Sequence, residues 1–147
     1  MKHQFDEREI AVRNGVMMRG FCILLGLLFA DFVLKQLGVH WALGAWNSMV
    51  YGALAIAIVN IEYIMRGVYY KYEVCPKRHF WLMLALAIVF GFSVILNIWH
   101  FTLIEQGQLS MWGSWRIAFA LFTLIGICGT VRAAVDIRKN RNEAENT

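Results

Sequence analysis

One proline, Pro76, is all that 147 residues contain, and only 16% of the chain is charged. Soluble domains carry about 25% charged residues and more punctuation between their elements. The three cysteines, Cys22, Cys75 and Cys128, form no C-x-x-C pair and no Cys/His zinc spacing. They read as two small buried hydrophobes inside apolar segments and one thiol in a loop. The four histidines, His3, His40, His79 and His100, are scattered along the chain and give no metal site. No G-x-x-x-x-G-K-[ST], H-E-x-x-H, G-x-S-x-G or dinucleotide fingerprint occurs. No constellation names an enzyme, and no cofactor or metal is expected.

What the chain does have is apolar residues, 59% of the total, gathered into four long runs at about 20–38, 43–65, 80–104 and 111–135. At about 1.5 Å per residue, roughly 20 such residues cross a hydrocarbon layer about 30 Å thick. Backbone in lipid must satisfy its own hydrogen bonds, so these runs predict helices. Period-two alternation is missing, which excludes a strand-built barrel of the outer-membrane type. The expected fold is an all-α integral membrane protein, a four-transmembrane-helix bundle forming one domain over 1–147. The first run follows a polar segment and lacks an A-x-A-like exit, so it reads as a retained span. Residues 1–19 read as a juxtamembrane helix, started by Asp6 and Glu9 as a capping pair. Residues 136–147 read as a frayed polar tail.

Orientation follows from charge. Twelve of the fourteen Lys and Arg residues precede the first run, join the second to the third, or lie at the end of the fourth or after it. Lys35 and Arg116 are the other two. The positive-inside rule places both termini and the Arg66–Arg78 connection in the cytoplasm of a multi-pass cell-membrane protein. A net charge of +4 then needs no nucleic acid as partner. Trp41, Trp46, Trp99, Trp112 and Trp115 mark the outer boundary, and Tyr69, Tyr70, Tyr72 and Trp81 the inner one.

Polar residues inside the runs are candidates for function, because they are expensive in lipid. Asp31 lies twelve residues beyond Arg19, roughly 18 Å along a helix axis. Its expected partners in the outer half are Asn47 of the second run, Asn97 and His100 of the third, and Arg116 of the fourth. Two readings stay open: a pocket that handles a proton or ligand, or polar groups joining helices. If the carboxylate is structural, an amide at position 31 is expected to keep its bonds. Glu62 and Arg66 stand four apart in the favourable order for an ion pair near the inner face. Small residues at four-residue steps predict close helix contacts at Gly44, Ser48 and Gly52, at Ala87 and Gly91, and at Gly129 and Ala133.

The stretch Asp6-Glu7-Arg8 ahead of the first run, with the four-span layout, resembles small bacterial inner-membrane proteins that open on a D-E-R element. These are similar in size and topology to the membrane inhibitors of LytTR-type regulatory systems. The resemblance implies a regulatory or accessory subunit whose cytoplasmic face, including Asp6, Arg8, Arg13, Lys77 and Arg78, holds a protein partner. A small oligomeric transporter or channel with a pocket around Asp31 is the alternative. Homo-oligomers suit either reading, and direct nucleic-acid binding suits neither.

Overall fold

The computed structural model describes residues 7–67 and 76–145. Asp6, Cys75 and the tyrosines 69, 70 and 72 lie outside the described residues. The elements are α1 (Glu7–Gln36), α2 (Trp46–Arg66), α3 (Pro76–His100), a two-stranded hairpin of β1 (Ile104–Glu105) and β2 (Gln108–Leu109), and α4 (Met111–Glu145). All four helices are long and apolar enough to cross a membrane.

Each helix boundary has a local cause. The backbone turns out of α1 at Gly38, with φ +80°, where its N–H reaches Lys35 O at 3.1 Å and Val39 N–H reaches Leu34 O at 3.0 Å. That pair of bonds closes the helix with a left-handed glycine. Pro76 opens α3 at the first helical position, where no N–H is needed. Ser110 caps α4, its Oγ accepting Gly113 N–H at 3.0 Å while its hydroxyl donates to Thr102 O at 2.8 Å.

Packing follows the order α1–α2–α4–α3. The most extensive contact is α3 on α4, then α2 on α4, then α1 on α2; α1 makes no comparable contact with α3 or α4. Within the hairpins the helices are antiparallel: Gly20 meets Val59, and Gly126 meets Ala87. Helices α2 and α4 run parallel, since Leu43 and Trp41 bond to Leu109 at one end and Arg132 reaches Gly67 at the other. The described chain therefore starts and finishes at the same end of the bundle. The connections 37–45 and 101–110 share the opposite end.

Small residues fill the interior and large ones the outside. Ala53, Ala55, Ala57, Ala118 and Ala133 are buried, whereas Phe21, Phe29, Phe32, Ile88, Phe92 and Trp99 are more than half exposed. Water would not tolerate so much apolar surface on a monomer. In lipid it costs nothing, and backbones draw together where side chains are small. A Cβ on Gly126 would stand 2.7 Å from Ala87 N, and one on Gly20 would run into Val59 Cγ2. Gly129 seats Met83, and Gly91 faces Thr123.

Several expectations change here. The Gly44–Ser48–Gly52 series is no contact seam, since a Cβ on Gly44 or Gly52 would meet nothing within 4 Å. The polar tail is helical as far as it is described: α4 continues to Glu145. The juxtamembrane helix and the first span are one helix from Glu7. Helix α3 ends at His100 rather than 104, because the chain turns into the hairpin. Cys22 is exposed on α1 rather than buried, and Cys128 is half-buried.

The hairpin is the one non-helical element among the described residues. Gln106 and Gly107 have φ +51° and +77°, and pair Glu105 with Gln108 across a two-residue turn. Positive φ at both positions matches the right-handed twist of the strands. Leu109 then bonds to the first connection, donating its N–H to Trp41 O at 2.8 Å and accepting Leu43 N–H at 3.0 Å. The two connections are thus tied together by backbone.

Candidate functional site

The candidate polar residues among the described residues fall mainly into three clusters. The first surrounds Asp31, which is 6% exposed on α1. Its Oδ1 accepts Trp41 Nε1–H at 3.1 Å and Tyr51 O–H at 3.0 Å. Its Oδ2 accepts Asn47 Nδ2–H at 2.5 Å and meets Lys35 Nζ at 2.8 Å. The Trp41 N–H lies equally 3.1 Å from the Tyr51 hydroxyl, with the two rings 5.5 Å apart. Asn47 is oriented by its other end, where Oδ1 accepts Ser48 N–H at 2.9 Å. A carboxylate offers about four lone-pair positions, and four donors take them. The donors come from α1, the 37–45 connection and α2. These bonds tie the 37–45 connection to α1 and α2.

This differs from the expected partners. Asn47 is brought to Asp31. Asn97, His100 and Arg116 are not among its partners, because they belong to the α3–α4 hairpin and α1 packs on α2. Lys35, Trp41 and Tyr51 supply the missing bonds. Lys35 carried a readable signal, standing one helical turn after Asp31. Trp41 and Tyr51 did not, since aromatic residues at a membrane boundary need no polar partner to explain them.

The second cluster joins α3 to α4. Arg116 donates to Asn97 O at 2.9 Å and to Phe101 O at 2.7 Å. These are a carbonyl of the last turn of α3 and that of the residue just after it, where a cation is favourable. Asn97 is buried, and its Oδ1 and Arg116 Nε have no hydrogen-bond partner among the described residues. His100 stands outside this contact, its ring centroid 6.3 Å from that of Phe101. Phe101 stacks on Trp112 at 3.9 Å and 11°, which holds the turn over the start of α4.

The third cluster lies at the end where the described chain starts and finishes. The Glu62–Arg66 pair forms as expected, with Arg66 Nε 2.8 Å from Oε1. Arg19 of α1 joins it, donating Nε to Oε2 at 3.3 Å and a terminal N–H to Oε1. Spacing along one helix could not foresee a partner from another. Nearby, Tyr63 O–H donates to Arg13 O at 3.1 Å, and the Arg13 guanidinium sits 5.9 Å from the Tyr63 ring centre. Arg13 is therefore engaged with α2 rather than held out to solvent. Arg8, Lys77 and Arg78 are exposed; Asp6 is outside the described residues. No group of three metal-capable side chains occurs among the described residues.

Comparison with known protein families, curated proteins and solved structures found no match.

Proposed function

We propose that this is a multi-pass membrane protein with both ends of the chain in the cytoplasm, acting as a regulatory or accessory subunit that holds a cytoplasmic protein. The observation that carries the reading is the way two helices outrun the apolar bundle. Helix α4 runs from Arg132, beside the end of α2, to Glu145, about 20 Å of charged helix. Helix α1 likewise extends from Arg19, level with Glu62, back to Glu7. The exposed charges of these extensions, Arg8 and Arg138 among them, offer a surface for another protein. Of the described Lys and Arg residues, only Lys35 and Arg116 lie toward the other end, which supports the cytoplasmic assignment.

The transporter or channel reading has less to rest on. Its polar residues divide between the α1–α2 hairpin and the α3–α4 hairpin, and Asp31 is already saturated by its four donors.

Reporter fusions test the orientation. Fusions at His40 and Gln108 should report the outside and one at Lys77 the cytoplasm; a cytoplasmic signal at Gln108 rules the topology out. The partner is tested by affinity capture from native membranes. Arg8→Glu with Arg138→Glu reverses two exposed charges on the extensions and should release the bound protein while the helical content of the purified chain stays unchanged. If every captured protein remains bound, the extensions are not the docking surface.

A further inference from the structure

Glu62 gathers guanidinium groups from two helices, Arg19 of α1 and Arg66 of α2. Two cations on one carboxylate leave the cluster one positive charge in excess. Each guanidinium has five N–H donors. Glu62 takes Nε and one terminal nitrogen of Arg19 and the Nε of Arg66. The side chains of Arg19 and Arg66 remain 50% and 47% exposed, so unspent donors face outward. Like charges drawn this close repel, and an anion bound between them would relieve the repulsion.

Depth selects the anion. On α2, Asn47 belongs to the Asp31 cluster, Glu62 lies about 23 Å further along the axis, and Arg66 about 29 Å. That spacing is close to the roughly 30 Å thickness of a hydrocarbon core. Between the two clusters α1 and α2 turn Phe21, Leu25, Phe29 and Ile56 outward. With the Asp31 cluster toward one polar boundary, Arg66 stands near the other, at the level of lipid headgroups, and Arg19, about 18 Å from Asp31 along α1, extends its guanidinium toward that level to reach Glu62.

We propose that Arg19 and Arg66, held together by Glu62, bind the headgroup phosphate of an anionic phospholipid. The site rests on the membrane reading above. Guanidinium groups match phosphate oxygens in paired hydrogen bonds. A zwitterionic headgroup brings its own cation, which the excess positive charge repels, so an anionic headgroup is preferred. Glu62 is a positioning residue: it sets the spacing of the two guanidinium groups without touching the lipid.

The test uses the full chain in nanodiscs of phosphatidylcholine alone or mixed with phosphatidylglycerol, with retained lipids counted by native mass spectrometry and Tm measured in parallel. The wild type should retain phosphatidylglycerol preferentially and gain Tm in the mixed discs. Arg66→Gln should lower the preference about fivefold, the effect of one basic side chain at an anionic surface. Arg19→Gln/Arg66→Gln should lower it further. Lys77→Gln/Arg78→Gln, which removes exposed charge at the same end but outside the site, should lower it clearly less than Arg66→Gln. Arg66→Gln keeps the Arg19–Glu62 bridge between the helices, so it reads the site even where the double variant does not fold. Equal losses in the Lys77/Arg78 variant, or none in Arg66→Gln, overturn the proposal. Inorganic phosphate added to phosphatidylcholine discs should not raise Tm; if it reproduces the rise, the ligand is free phosphate and the lipid site is wrong. A chain that does not enter the discs defeats the membrane reading and the site with it. A chain that enters but shows no preference defeats the site alone.

Discussion

Asp31→Ala should lower the unfolding free energy by about 3–5 kcal/mol, the usual cost of removing one partner from a buried ionic network. The carboxylate accepts from Trp41, Tyr51 and Asn47 and pairs with Lys35, and alanine takes that acceptor from Lys35, Asn47 and Tyr51 and leaves Trp41 only the Tyr51 hydroxyl. Asp31→Asn is more informative. All four neighbours present donors to the carboxylate. An asparagine would place an NH₂ among them, keeping one acceptor oxygen where two are used. Tyr51 can rotate its hydroxyl to accept, but Asn47 cannot flip its amide without losing Ser48 N–H. The expectation that an amide would preserve the bonds therefore reverses: Asp31→Asn should cost about 1.5–3 kcal/mol, the worth of a hydrogen bond to a charged group. Equilibrium unfolding in detergent, followed by Trp fluorescence, reads both variants directly, because Trp41 is itself a partner. An Asp31→Asn protein as stable as the wild type would show that the cluster is not held by the acceptor-only character of the carboxylate.

The other large effect belongs to the α3–α4 seam. Gly126→Ala places a methyl group 2.7 Å from Ala87 N and 2.9 Å from Ala87 Cα. Backbone atoms of a packed helix cannot rotate aside as a side chain can, so the helices must separate. The expected loss is about 1–3 kcal/mol, typical of overpacking. Gly126→Leu, which would need a gap several ångströms wide, should prevent the hairpin from closing. Gly52→Ala is the control, since nothing lies within 4 Å of its Cβ position; it should be neutral or stabilising by up to about 1 kcal/mol through helix propensity. Thermal unfolding of the three variants in one detergent separates them. If Gly126→Ala and Gly52→Ala behave alike, the close approach at Ala87 does not hold the seam.

The four helices were legible because the bilayer's demands are local. A run of about 20 apolar residues meets them whatever its neighbours, and each span read from composition falls mostly within one of the helices α1 to α4. Ser110 and Pro76 likewise act on their own helix ends. The Glu62–Arg66 pair was legible for the same reason, being one turn apart on one helix. The hairpin at 104–109 was less so: its signal is Gln106-Gly107, a weak relative of the Asn-Gly turn, between two-residue strands too short to show alternation.

Partners across helices were not legible, and the errors share one cause. Depth along the axis can be counted from sequence, and it put Asp31 level with polar groups of all the other spans. Which of them it meets depends on which helix stands beside α1, and four apolar helices can be ordered in several ways with the same composition. Helices α1 and α2 approach at Gly20, and α3 and α4 at Gly126, two glycines that no four-residue pattern singled out. These contacts, with the core of Ala57 and Ile64 of α2 against Ile125 of α4, make the order α1–α2–α4–α3, which gave Asp31 to Lys35, Trp41, Asn47 and Tyr51, Arg116 to the end of α3, and Arg19 to Glu62. The sequence alone determined that the chain carries four apolar helices and where its charges fall along them, because burial in lipid and helix capping depend on neighbours a few residues away. Only the tertiary structure decided which polar groups meet, because that rests on backbone approach between helices, which is set by shape rather than by hydrophobicity.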